Sequence, residues 1–242
     1  MITKETTLNQ AFAYSQITQT VLSRCDYSIC DNSTISQVAQ QTDLNENFLV
    51  DTLNHFIESQ YLSIDDFKQY SIDTLTNYLI RSHRYYLDKK LPEMEQTINM
   101  LVTKNKDIHP GLQLLNLFFL EYRKELFNHF ELEENLLFPY AYFLDQSTKG
   151  QHYLPLILEN MENFSIKQFT QRHENSHQEL SKVRKAILSY KPSSTDASPY
   201  RILLEQLKYF EQDLHFHAMI EDDVLIPKLR KIEIQLKSSI LN

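Results

Sequence analysis

Glycine is nearly absent from this chain: only Gly111 and Gly150 occur among its 242 residues. Phosphate-binding loops and dinucleotide-binding turns need several glycines at fixed spacings, so the sequence excludes sites of that kind. Tight β-hairpins also need residues that tolerate positive φ, which glycine supplies most readily. The shortage of glycine therefore favours long helices joined by few loops, and it predicts an all-α fold.

The charge balance excludes several classes of partner. The chain has 24 basic and 32 acidic side chains and a net charge of −8, which argues against a generic binder of nucleic acid or anionic membranes. The N-terminus has no basic segment followed by an apolar core, so we expect no export signal. The longest apolar stretch, 114–120, is too short to cross a bilayer. These features predict a cytoplasmic protein without membrane association.

The spacing of apolar residues divides the chain into two parts. Residues 1–65 contain short helical patterns, including a helix–turn–helix pattern over 36–56, and we expect a small helical domain that docks a partner. From residue 66 the patterns lengthen, which predicts an antiparallel four-helix bundle over 66–242. The long patterns, the first of which contains Pro92, cover approximately 71–106, 111–144, 161–190 and 199–236.

One motif occurs twice, at an offset of 88 residues. Segment 129–139 reads HFELEENLLFP, and segment 217–227 reads HAMIEDDVLIP. Both contain His-x-x-x-Glu, followed by an acidic residue, a polar residue, three apolar residues and proline. Residues four apart on a helix share a face, so each copy directs an imidazole and a carboxylate to the same point.

Histidines extend this pattern to every long helical segment. His83, His129, His173 and His217 fall one on each, at separations of 46, 44 and 44 residues, and His177 repeats the four-residue spacing on the third. Imidazole suits first-row transition metals, and a carboxylate can bridge two ions. Five imidazoles and two carboxylates exceed the needs of one four-coordinate zinc and suit two irons. The residues predict a metal site; the alternative is a set of ordinary helix-surface pairs.

On these motifs the C-terminal part of the chain resembles the hemerythrin-like domain, and the whole chain resembles the iron–sulfur cluster repair di-iron proteins (the repair-of-iron-centres family). The matching segments are Ser82-His83-Arg84, Arg172-His173-Glu174 and the two copies of the motif. The resemblance implies a non-haem di-iron centre with terminal histidine ligands and two bridging glutamates. The candidate metal ligands are His83, His129, Glu133, His173, His177, His217 and Glu221.

Two positions depart from the pattern of the repair family. His177 stands where repair proteins usually have a small residue, whereas oxygen-carrying hemerythrins have a ligating histidine there. We expect His177 to bind iron; the alternative is a histidine that lies beside the ligands or at the surface. The family also has two adjacent cysteines in its small domain, but Cys25 and Cys30 flank that position here. Either thiol could pass iron or electrons if its pKa is lowered; a buried structural cysteine is the alternative.

The resemblance implies a di-iron protein that repairs or protects iron centres damaged by nitric oxide or oxidative stress, by iron donation or by handling nitric oxide. Damaged iron–sulfur proteins, nitric oxide or O₂ would be its partners, and a homodimer is left open. The main alternative is an oxygen-binding or oxygen-sensing hemerythrin. No established catalytic constellation occurs, so the sequence leaves enzymatic activity open; redox activity at the di-iron centre is one possibility.

A metal-controlled transcription regulator is disfavoured. Residues 1–60 contain two basic and seven acidic side chains, and 45–56 contains no lysine or arginine. A recognition helix needs such residues to contact phosphates. We therefore expect no nucleic-acid partner.

Overall fold

The computed structural model describes residues 1–25, 32–57, 63–104, 110–150, 154–173, 185, 187–188 and 197–241. The regular secondary structure in these residues is helical. The described residues contain one isolated β-bridge, between Thr7 and Thr34. Within the same residues, no helix combines the length and apolarity needed to cross a membrane. The helices form two compact units. The first comprises Met1–Ser82, Tyr140–Asn163 and Asp213–Asn242, and the second comprises His83–Pro139 and Phe164–Gln212.

Short helices make up the N-terminal part of the first unit. They are α1 (Leu8–Tyr14), α2 (Gln16–Leu22), α3 (Ile35–Gln41) and α4 (Glu46–Ile57). Thr7 and Thr34 each begin a helix with a capping box, in which the threonine hydroxyl and a glutamine three residues later exchange hydrogen bonds with the backbone. The helix–turn–helix pattern of the sequence is present in α3 and α4. Asn45 caps α4 by accepting from the Phe48 N–H at 3.0 Å.

A hydrophobic core joins these short helices. Cys25 lies in this core with only 3% of its surface exposed, which fits a structural cysteine. Cys30 lies outside the described residues. The other members of the core are Ile2, Leu8, Ala11, Val21, Leu22, Ile35, Val38, Ala39, Leu49 and Leu53.

Longer helical segments follow a 3₁₀ turn (Ile64–Gln69). In chain order they are α5 (Ile72–Tyr85), α6 (Leu91–Lys104), α7 (Pro110–Leu132), α8 (Phe138–Thr148), α9 (Leu154–Asn163), α10 (Ile166–His173), α11 (Ala197–Met219) and α12 (Ile226–Leu241). Among the residues that the structure describes, three π-helical turns connect consecutive helices, at Tyr86–Lys90, Glu133–Leu137 and Ile220–Leu225.

The third long segment differs from its prediction over 161–190. α9 ends at Asn163, and α10 begins at Ile166. The break occurs because Ser165 accepts a hydrogen bond from the Gln168 N–H at 3.3 Å and so starts a new helix. Most of the remaining predicted segment lies outside the described residues.

A proline follows each π-helical turn after one intervening residue, at Pro92, Pro139 and Pro227. Proline has no N–H, and its ring would clash with the carbonyl four residues earlier in an α-helix. The residue before each proline donates to the carbonyl five residues back instead, which widens the turn. These donors and acceptors are Leu91 to Tyr86, Phe138 to Glu133, and Ile226 to Glu221.

Candidate metal centre

Glu133 is the centre of a buried cluster in the second unit. Its side chain is 0% exposed; Oε2 lies 3.0 Å from Nε2 of His83, and Oε1 lies 2.6 Å from Nε2 of His129. His83 comes from the last turn of α5, whereas His129 precedes Glu133 by one turn in α7. One carboxylate therefore faces imidazoles from two helices, with one ring nitrogen at each oxygen.

Glu134, whose side chain is 38% exposed, lies at the edge of this cluster, although it was not among the predicted site residues. Its Oε1 lies 2.8 Å from Nδ1 of His83. A carboxylate can only accept, so Nδ1 of His83 donates this hydrogen bond and Nε2 is directed to Glu133. The sequence holds only an indirect signal for this contact. An acidic residue follows the glutamate in both copies of the motif, but the histidine that Glu134 contacts lies on another helix.

Aromatic rings hold the His83 imidazole in place. The Phe130 ring stacks on it with centroids 3.9 Å apart and planes 11° apart, and the Phe138 ring lies 5.7 Å away at 22°. Stacked rings resist rotation of the imidazole. The two nitrogens of His83 therefore stay directed at their two carboxylates.

The donor atoms of this cluster fit a cation. With Nδ1 of His83 bonded to Glu134, the Nε2 lone pair of a neutral ring faces the Glu133 carboxylate at 3.0 Å. That contact is favourable only with a proton or a metal ion between the two atoms. Burial lowers the pKa of His83, but its hydrogen bonds to Glu133 and Glu134 outweigh burial, and the pKa is raised. A transition metal would replace that proton.

The second copy of the motif is buried in the first unit. His217, near the end of α11, is 2% exposed, and Glu221, in the following π-helical turn, is 1% exposed. His215, two residues before His217, is exposed, as its place on another face of the helix requires. A buried carboxylate is costly unless it is paired or bound to a metal. The second copy thus offers an imidazole and a carboxylate one turn apart, away from solvent.

The structure locates the predicted ligands to different extents. It brings His83, His129 and Glu133 together, and it buries the His217 and Glu221 pair. For His173 it gives the position as the last residue of α10. His177 lies outside the described residues. Metal ligation by each of the seven stays a prediction.

Comparison with known proteins gives matches of two kinds. Residues 74–229 match the family model described as Hemerythrin HHE cation binding domain. The chain is 22% identical over 197 residues to the iron-sulfur cluster repair protein ScdA of Staphylococcus epidermidis strain ATCC 35984, and equally to ScdA of strain ATCC 12228. Both matches cover 81% of this chain and 84% of the relative.

These matches confirm the resemblance and the all-α helical-bundle class predicted from the sequence. The matched range contains all of the predicted ligands and well over half of the chain. The chain therefore belongs to the hemerythrin family.

Proposed function

We propose that this protein holds two non-haem irons and uses them to repair or protect iron–sulfur centres damaged by nitric oxide or oxidative stress. The observation that carries the proposal is the fully buried Glu133 carboxylate, with imidazole nitrogens 3.0 Å and 2.6 Å from its two oxygens. The family description, which names a cation, and the relatives, which are named as cluster repair proteins, support it.

The proposed ligands also suit the charge of two metal ions. Two buried carboxylates would be costly alone, but they offset part of the charge of two metal ions. Protons compete with the metal for imidazole nitrogens and carboxylate oxygens, so bound iron would remain exchangeable. The proposed ligand set comprises His83, His129, Glu133, His173, His177, His217 and Glu221, with both glutamates as bridges.

The residues around Glu133 differ in exposure, which supports a route for iron exchange. His83 and Glu133 are 0% exposed, whereas the side chain of His129 is 15% exposed. Glu134 keeps His83 oriented, and the buried surroundings limit the access of water. Bound iron would supply the redox and metal-transfer chemistry, and we propose that it exchanges on the side of His129.

Domain roles complete the proposal. Residues 1–65 would dock the damaged iron–sulfur protein, and 66–242 would hold the irons. We propose that the protein acts in the cytoplasm, together with a client of this kind. A homodimer stays a prediction, which light scattering of the iron-loaded protein would check.

Metal analysis tests the iron centre. Protein loaded anaerobically with Fe(II) and desalted should retain about two irons per chain. Glu133→Gln should lose most of this iron, because a neutral amide cannot replace a bridging carboxylate. Glu131→Gln is the matched control, since Glu131 is exposed on the same helix. A wild-type protein without bound iron would contradict the proposal.

Transfer of iron tests the repair function. The iron-loaded protein should restore the cluster of an iron–sulfur protein that has been treated with nitric oxide, and Glu133→Gln should not. Consumption of nitric oxide without restored clusters would indicate handling of nitric oxide alone. Reversible O₂ binding without either activity would instead favour the oxygen-binding alternative.

A further inference from the structure

We propose that Arg24 is a positioning residue for His217 and that it couples the N-terminal helices to iron binding. The inference rests on the proposed function, since it takes His217 to be an iron ligand. Arg24, its partners and His217 all lie in the first unit of the structure.

Arg24 makes a buried set of directional contacts. Its side chain is 3% exposed, Nη1 donates to the Tyr78 hydroxyl at 2.6 Å, and Nη2 donates to the Asp213 carboxylate. The guanidinium carbon also lies 5.0 Å from the centre of the Tyr78 ring. The planar guanidinium group of arginine can donate to the Tyr78 hydroxyl and the Asp213 carboxylate at once, and its flat cation can also lie over the Tyr78 ring. A lysine ammonium group lacks this geometry.

Asp213 connects this contact to the proposed metal ligand. It lies one turn before His217 in α11, on the same face of the helix. Its side chain is 0% exposed, and a buried carboxylate that loses its cationic partner is strongly unfavourable. The ion pair with Arg24, which spans 189 positions of sequence, therefore determines where this turn of α11 lies.

Phe216, the neighbour of His217, is held by the same part of the chain. Its ring centre lies 4.6 Å from that of His55 and 5.0 Å from that of Phe56, both in α4, and 5.3 Å from that of Phe67. The ion pair with Arg24 holds this turn of α11 at Asp213. The ring contacts of Phe216 hold the same turn next to His217. A client that displaces the N-terminal helices would therefore shift His217 and loosen the iron.

Fe(II) affinity and the rate of iron release test the coupling. Arg24→Lys keeps the charge but loses the fork, and Tyr78→Phe removes one acceptor. We expect Arg24→Lys to weaken Fe(II) binding roughly tenfold, the low end for residues that support a ligand, and to speed release to a ferrous chelator. Tyr78→Phe should have a smaller effect in the same direction.

A matched control separates positioning from stability. Tyr140→Phe removes a buried hydrogen bond of 2.6 Å to Glu233, which lies in α12 of the same unit. It should lower the urea midpoint of the metal-free protein and leave Fe(II) affinity unchanged. All affinities are to be measured where circular dichroism shows fully folded protein.

The outcomes distinguish the inference from the proposed function. Wild-type protein that binds no iron contradicts both. Wild-type protein that binds iron, together with a folded Arg24→Lys of unchanged affinity and release rate, overturns the inference alone. If Arg24→Lys does not fold, the double variant Arg24→Met/Asp213→Leu replaces the ion pair with apolar groups. The same weakening is expected in it, and wild-type affinity there overturns the inference.

Discussion

The imidazole of His83 receives its orientation from Glu134, a neighbour of the proposed bridging residue. The bond from Nδ1 of His83 to this carboxylate is 2.8 Å long, and it selects the tautomer whose Nε2 is directed to Glu133. Residues that orient a ligand in this way raise its affinity for metal. Glu134 therefore contributes to the site without being placed among its ligands.

Replacement of Glu134 tests this contribution. Glu134→Ala should weaken Fe(II) binding at least tenfold, about the cost of losing a partner of a ligating histidine. Glu134→Gln should be milder, because its amide oxygen still accepts from Nδ1 of His83. Competition with a ferrous chelator measures both. Glu131→Ala, on the exposed part of the same helix, serves as the control, and an equal loss there would contradict the assigned role.

The sequence predicted that the members of each motif pair share a face of a helix, but it did not predict the contact that Glu134 makes; metal binding by the pairs stays a prediction. Four-residue spacing on a helix identifies His129 with Glu133 and His217 with Glu221, because both members must share a face. Glu134 points about 100° away from Glu133 on the helix. Its role depends on a histidine from another helix, which no local spacing reveals.

The π-helical turns are the main feature of the elements that carry the site. Glu133 is the first residue of one turn and Glu221 the second residue of another. Capping residues of α1, α3 and α4 are readable in the sequence, because their partners lie within three positions. The π turns were not predicted, since proline alone indicates a kink or a break as readily as a widened turn.

Pro139→Ala tests whether proline maintains the turn that starts at Glu133. Without the clash, the segment can return to α-helical hydrogen bonding and rotate Glu133 from its two histidines. Pro139 is the second residue of α8, but the helix runs into it directly from the π-helical turn, so it lies inside a continuous helical segment, where proline is costly. We therefore expect weaker Fe(II) retention and a metal-free protein that is more stable by about 1 kcal/mol. Urea unfolding and metal analysis measure these effects.

A proline in the first turn of a helix provides the control. Pro155 is the second residue of α9, a position that needs no α-helical donor. Pro155→Ala should therefore change neither stability nor iron content appreciably. Full iron retention in Pro139→Ala would show that proline is not what shapes the turn.

The beginning of α4 carries a pH-dependent contact. Lys4 Nζ lies 2.5 Å from a Glu46 carboxylate oxygen, and this hydrogen bond lowers the pKa of Glu46 from its usual 4.5. A depressed carboxyl pKa stabilises the fold above the unfolded value, and the contribution is lost as pH falls through the folded value.

Lys4→Met should remove this contribution. The variant should be less stable than wild type at pH 6, and the difference should shrink at pH 3. The effect should be small and reduced by salt, because the pair is partly exposed. Urea unfolding at the two pH values, with and without added salt, measures it. An equal difference at both pH values would contradict the assignment.

At the scale of the whole molecule, iron should act as a stabilising ligand. The metal-free protein retains its hydrophobic cores, so it should fold without iron. A ligand that binds only the folded state adds about 2.7 kcal/mol to the free energy of unfolding when its free concentration is 100 times its Kd. Chelation should therefore lower the thermal midpoint, and restored Fe(II) should return it. An unchanged midpoint would argue against a site buried in the fold.

Contacts across residues 65 and 66 bear on the predicted domain division. Phe48 lies 5.6 Å from Phe67 and 5.2 Å from Tyr78 between ring centres, and Asp51 accepts from the Tyr70 hydroxyl. Apolar spacing could not reveal these contacts, because they join segments that read as separate patterns. The boundary itself stays a prediction.

Truncation tests the importance of these contacts. A fragment of residues 66–242 would expose the aromatic surface formed by Phe67, Tyr70 and Phe216, which are at most 7% exposed in the full chain. We expect the fragment to aggregate or to unfold at lower urea than the full chain. Size-exclusion chromatography and urea unfolding measure this. A monomeric fragment of undiminished stability would support two independent domains.

Each π-helical turn holds one residue more than the α-helical turn that it replaces. A deletion elsewhere in a helix rotates every following side chain by about 100°. A deletion within the turn, such as loss of Asn135 together with Pro139→Ala, would instead be absorbed as the backbone tightens, and the flanking helices would keep their angular alignment. The three turns are thus the places where these helices can change length by one residue during evolution while both ends stay in register.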